Sequence, residues 1–76
     1  MTEKQIGILK SLAEAADLIH ENAVGIWTGH AKAVEDMKEY SKKREELEEE
    51  MESLDEVADL AQRIKEIIAV YVGQEG

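Results

Sequence analysis

Apolar residues recur at alternating steps of three and four through Leu9, Leu12, Ala16, Ile19, Ala23 and Ile26. That spacing is the seam of a helix lying along other helices. Ile6 and Ile8 widen the stripe at its start. Ala13, Ala15, Ala16 and Ala23 favour helix and let a neighbouring backbone come close. A start signal precedes them: Thr2 and Gln5 have capping-box spacing, in which the Thr oxygen accepts an orphan amide and the Gln side chain reaches back. The pattern predicts a first helix over residues 3–26.

Gly25-Ile26-Trp27-Thr28-Gly29 interrupts this pattern with two glycines and the single Trp of the chain. A turn over residues 27–30 is expected there, with Trp27 plugging the open end of a helical layer and Gly29 supplying a backbone conformation that other residues resist. Beyond it there is no Gly or Pro before Gly73. One long helix over residues 31–72 follows, then a flexible tail, 73–76. Met37, Tyr40, Leu47, Met51, Leu54, Ala58, Ala61, Ile68 and Val72 continue the three-four alternation, interrupted by Arg44 and Lys65. From Val57 a second row, Val57, Leu60, Ile64, Ile67 and Tyr71, runs beside the first. Met51, Leu54, Val57, Leu60, Ile64, Ile67 and Ile68 are therefore the expected association face. Between the turn and this face lies Lys42-Lys43-Arg44 and then a dense run of Glu, read as a solvated helix surface tied by Glu39 to Lys43 and Asp59 to Arg63.

The lengths of these helices decide the architecture. Residues 4–26 as a helix span roughly 34 Å, and residues 31–72 roughly 63 Å. A hairpin of a short first and a long second helix leaves residues 57–72 without an intrachain partner. Two arrangements cover them. The second helix reverses near Ser53, whose spacing to Glu56 is another capping box, to make a three-helix bundle; or it stays continuous and its far half packs on another chain, giving a helical-bundle dimer. Met51, Leu54 and Ala58 carry the seam through the proposed break, which favours association.

Composition agrees with an all-α chain that forms a single helical domain over residues 1–76: 36% of residues are charged and 43% hydrophobic, with no Phe and no Pro. A chain of 76 residues without Cys lies near the size at which one core is barely stabilising, so association is the expected help. The net charge of −9 repels phosphate backbones and anionic surfaces, so no nucleic acid is expected as a partner. No apolar run approaches the roughly 18 residues that span a bilayer, and residues 1–5 lack a signal-peptide pattern. The expected partner is a protein, and membrane insertion is not expected.

Candidate chemistry is sparse. His20 and His30 read as a solvent-facing residue and a helix-start residue, with no third ligand at matching spacing, so neither metal nor cofactor is expected. The few Ser and Thr have no His at motif spacing, and the glycines make no phosphate loop. The glutamates encircle their helix instead of converging on a bundle interior, so an enzyme is not expected.

Trp27-Thr28-Gly29 at the expected turn, Ala31 opening the second helix and Tyr71-Val72-Gly73-Gln74-Glu75 at its end resemble the WXG family, the small helical-hairpin proteins of type VII secretion. The chain departs from that family in its shorter first helix. The resemblance implies a secreted, acidic, dimerising hairpin that acts by protein binding, as a substrate or as the targeting partner or chaperone of a larger effector. It implies Trp27 and Gly29 as the turn motif and Tyr71 with Glu75 as an export signal. Its partners would be itself, a related hairpin, the helical N-terminal domain of an effector, or a secretion ATPase, reached without a cleaved signal peptide. The alternative is a cytoplasmic or viral coiled-coil adaptor, or a small helical inhibitor, in which Trp-x-Gly is coincidence.

Overall fold

A computed structural model describes the backbone of residues 1–75 and the side chains of residues 1–73. The described chain is two helices, α1 (Glu3–Glu35) and α2 (Lys42–Glu75), packed as an antiparallel hairpin. Thr2 caps α1 as its spacing predicts: its hydroxyl accepts from the Gln5 amide at 3.2 Å and its own amide donates to Gln5 Oε1 at 2.9 Å.

The turn is not at residues 27–30. Trp27, Thr28 and Gly29 lie inside α1, which continues to Glu35, so the first helix is long, 33 residues against 34 in α2. The physical reason is that neither glycine is used as a turn residue. No glycine among the described residues has a positive φ, and a Cβ on Gly25 or Gly29 would meet nothing within 4 Å. Ala23 precedes them and Ala31, Lys32 and Ala33 follow, all strong helix formers. Thr28 turns its hydroxyl inward and donates to the Val24 carbonyl at 2.8 Å, which keeps it on the helix.

Equal helices remove the length mismatch, and the hairpin forms a rod 55 Å long. The reversal comes at residues 36–41, without Gly or Pro. Asp36 ends α1 in the αR region, its amide donating to the Val34 carbonyl. Met37 also donates to the Val34 carbonyl, and the Ser41 amide to Lys38, both at 3.0 Å. The Ser41 hydroxyl then accepts from the Arg44 amide at 3.0 Å and caps the new helix. Arg44 closes the turn from inside: Nη1 donates to the Met37 carbonyl at 3.3 Å and Nε to Glu48 at 3.0 Å.

A third helix does not form. α2 runs unbroken past Ser53, whose hydroxyl donates back to the Glu49 carbonyl at 3.3 Å and so acts within the helix, not as a cap. At the far end α2 continues through residues 73–75, which were expected as a flexible tail; Gly76 lies outside the described residues.

The seam of α2 follows its spacing, with Arg44 and Lys65 as members and not interruptions, while Tyr40 lies in the turn, 95% exposed. In α1 the seam is shifted. Leu9, Ala16 and Ala23 belong to it, joined by Ala13, His20, His30 and Val34, whereas Leu12, Ile19 and Ile26 remain about half-exposed. The buried core is Ala16, Ala23, Val34, Ala61 and Ile68, mostly small side chains. His30 Nε2 meets Glu50 Oε2 at 2.7 Å, and Lys65 Nζ meets Asp17 Oδ1 at 2.8 Å, which fixes the register of the two helices.

Candidate protein-association surface

Helical spacing sets α1 residues 8, 12, 15, 19, 22 and 26 along one edge of the seam, and α2 residues 57, 60, 64, 67 and 71 along the matching edge. These are Ile8, Leu12, Ala15, Ile19, Asn22 and Ile26, then Val57, Leu60, Ile64, Ile67 and Tyr71, with no charge among them. The large apolar members are all exposed. In an antiparallel pair the positions just before seam residues on both helices fall on one side. Accordingly Ile19 of α1 and Val57, Leu60 and Ile64 of α2 wall a single groove of about 200 Å³, with Ala16 and Ala61 in its floor.

The expected association residues divide between two surfaces. Val57, Leu60, Ile64 and Ile67 are on the open face, whereas Met51 and Leu54 are half-buried and Ile68 is buried in the seam. Those three hold the hairpin together and are not part of the open face. The α1 half of the face was missed. Its signal in the sequence is Leu12, Ile19 and Ile26 at intervals of seven, a spacing that also fits the seam itself.

Toward the turn the same row of α2 becomes polar, through Ser53, Glu50 and Glu46. His30 faces Glu50 there. The opposite edge of the seam carries Trp27, 40% exposed, so its ring is not a plug. With Glu48, Met51, Glu52 and Asp55 of α2 it lines an open hollow. Gly29 is exposed within α1. Tyr71 is half-exposed at the end of the apolar row, and the side chain of Glu75 lies outside the described residues.

The edge that carries Trp27 also carries the Asp17–Lys65 pair. The Lys65 ammonium, first by its hydrogen bond and then by its charge, holds the Asp17 carboxyl below the usual carboxylate range, and Asp17 in turn raises the lysine. Among the described residues no group of His, Asp or Glu is arranged to hold a metal ion, and no helix is long and apolar enough to cross a membrane. No buried side-chain polar atom among them lacks a partner. What the arrangement offers is an uncharged apolar face on one side of the hairpin and, on the other, an apolar hollow beside carboxylates. Comparison with protein families, with curated proteins and with solved structures finds no match.

Proposed function

We propose that the protein works by binding other helices, and that its uncharged face packs on a second hairpin, another copy or a related partner, to close a four-helix bundle. The observation that carries this reading is the continuous row of half-exposed aliphatic side chains on both helices. Nine large residues left half in water amount to roughly 800 Å², the share each partner contributes to a standard interface. Monomers seldom leave a single apolar patch of that size open. The small alanine-lined core of the hairpin also leaves it needing a second layer.

Charge selects the direction of a self-pair. Glu46 and Glu50 continue the apolar row toward the turn, so two copies with their turns at the same end would bring these acids together. Copies with their turns at opposite ends overlay the apolar halves and keep the acidic halves apart. Light scattering on the intact chain at tens of micromolar should give twice the monomer mass, and Ile64→Glu should return it to monomer. A stable wild-type monomer whose melting is unaffected by Ile64→Glu would reject the reading.

A second reading keeps the secretion role. The hairpin layout and an exposed Tyr71 followed four residues later by Glu75 on a continuous α2 favour it, while the Trp-x-Gly lies within α1 and not at the turn. In that reading the protein leaves a type VII-competent cell with an effector or related hairpin as its partner and the secretion ATPase as its receptor. Export that survives a Tyr71→Ala and Glu75→Ala double substitution would remove the tail as its signal. Retention of the unsubstituted chain would leave the cytoplasmic adaptor.

A further inference from the structure

Trp27 has seam spacing, four residues after Ala23 and three before His30, and yet 40% of its surface is open. Its indole stands between two hollows. One, of about 190 Å³, is lined by Ala23, Val24, Leu54, Asp55 and Ala58. The other, of about 340 Å³, lies about one helical turn nearer the reversal and is lined by Glu48, Met51, Glu52 and Asp55. Val24 and Asp55 each directly follow a seam residue, whereas Ile19 and Val57 each precede one. The two hollows are therefore on the opposite side of the hairpin from the apolar face, and stay open whether or not that face is covered.

We propose that this edge docks a basic helical segment of a partner protein, one that carries an aliphatic side chain and an Arg or Lys one helical turn apart. Alanine, valine and leucine side chains make the first hollow a receptor for the aliphatic residue. The second is rimmed by carboxylates. Glu48 is engaged by Arg44 at 3.0 Å, but among the described residues no cation pairs with Glu52 or Asp55, both exposed. A basic side chain laid across the indole gains from the ring face along its length and from these carboxylates at its head. An exposed Trp with an apolar pocket beside it and charge around it is the composition of an interface anchor.

Charge complementarity disfavours the other occupants. The chain carries −9 overall, so a second copy would bring the same acids against this edge, and phosphate-bearing ligands are repelled. The partner segment is helical because the two hollows are offset by about one turn along α2, roughly 6 Å, which is the separation of side chains at i and i+4. Apolar anchors at that spacing are how helices are read in grooves.

The single Trp makes the test direct. The probe is a Trp-free helical peptide with Leu and Arg at i and i+4, repeated once on one face and labelled with fluorescein. Three comparisons are needed: a peptide of the same composition with Leu and Arg on opposite faces, a peptide with Glu for Arg, and the Glu52→Gln, Asp55→Asn double variant of the intact protein. The expected result is a saturable blue shift of Trp27 emission with the ordered peptide, matched by peptide anisotropy. Affinity should fall at least about tenfold for the two-faced peptide and for the double variant, and be lost with Glu for Arg. Both substituted residues are exposed and without an ion-pair partner, so circular dichroism should be unchanged. Trp27→Phe, followed by anisotropy, should weaken binding without abolishing it. No response to the ordered peptide overturns the proposal. Equal affinity for the ordered and two-faced peptides, or undiminished binding by the double variant, overturns it as well, since either reduces the effect to attraction by a polyanion.

Discussion

Lys65 reaches from the middle of the α2 seam to Asp17 on α1, its ammonium 2.8 Å from a carboxylate oxygen. Nearer the turn His30 also meets Glu50 across the two helices. Both place a polar atom at a fixed height along otherwise repetitive alanine and leucine packing. A seven-residue slip of α2 against α1 would preserve most apolar contacts and break both pairs. The pairs thus specify register more than they stabilise, since both partners of the Asp17–Lys65 bridge are substantially exposed.

The Asp17–Lys65 pair makes stability depend on pH. Asp17 is lowered from 3.8 in the folded chain, so its contribution is present above that value and is lost as the pH falls below it. Lys65 is raised from 10.5, so its contribution is complete below that value and is lost as the pH rises above it. Asp17→Asn should melt slightly below wild type at neutral pH, and the gap should close on acidification below the usual carboxylate range. Added salt should narrow it too. Melting curves of the two proteins taken in parallel from pH 2 to 7 check this, and a gap that widens in acid would contradict the assignment.

Gly25→Ala and Gly29→Ala test where the chain reverses. Both glycines have ordinary helical backbone with open space where a Cβ would stand. Each substitution should therefore stabilise the protein by about 0.5–1 kcal/mol, through helix propensity and a less flexible unfolded chain. A turn at residues 27–30 would reverse the sign for Gly29→Ala. Denaturant midpoints at constant slope are the measurement.

Much of the fold was legible in the spacing of apolar residues, and the point of failure is specific. The all-helical hairpin, the Thr2 cap and the α2 seam follow from periodicity and capping chemistry alone. The turn did not, because two glycines beside a Trp are a stronger local signal than Asp36 to Ser41, which contains neither Gly nor Pro. What decides between them is tertiary: only a reversal near residue 38 gives two helices of equal length, each with a full-length partner. The same error moved the α1 seam. Large aliphatics at Leu12, Ile19 and Ile26 outscore Ala13, His20 and His30 as core candidates, yet the hairpin buries the smaller row, and the larger one becomes the open face.

Ser41 is the residue whose role follows most directly from the new turn. Its hydroxyl caps α2 by accepting from the Arg44 amide, and the reversal has no glycine to compensate for its loss. Ser41→Ala should cost about 1 kcal/mol, and Ser41→Asp should be close to neutral because aspartate caps equally well and favours the helix N-terminus. Equal melting of Ser41→Ala and wild type would show that the turn is held by Arg44 and its bond to the Met37 carbonyl instead.

Trp27→Ala is expected to be milder than the loss of a core tryptophan. A fully buried ring costs about 3–5 kcal/mol on truncation, but a ring left partly in water gives up less transfer energy and leaves no closed cavity, so about 1–2 kcal/mol is expected. The emission maximum of the wild-type protein should lie between that of a buried and that of a free indole. A loss above about 3 kcal/mol would place the ring inside the protein in solution.

Ile67 and Ile68 are adjacent in sequence and opposite in role. Ile68 is 7% exposed in the seam and Ile67 56% exposed on the open face. A charge at Ile68 enters the only core the hairpin has, so Ile68→Glu should abolish the cooperative melting transition and most helical circular dichroism at any concentration. A charge at Ile67 meets water in the lone hairpin and meets apolar surface only if another helix covers it. If two hairpins pair through this face, the wild-type melting temperature should rise with protein concentration, because a partner that binds only the folded chain stabilises it by mass action. Ile67→Glu should remove that concentration dependence while keeping the helical signal in the cold. Persistence of the dependence in Ile67→Glu would move the interface elsewhere, and its absence from wild type would reject self-pairing through this face.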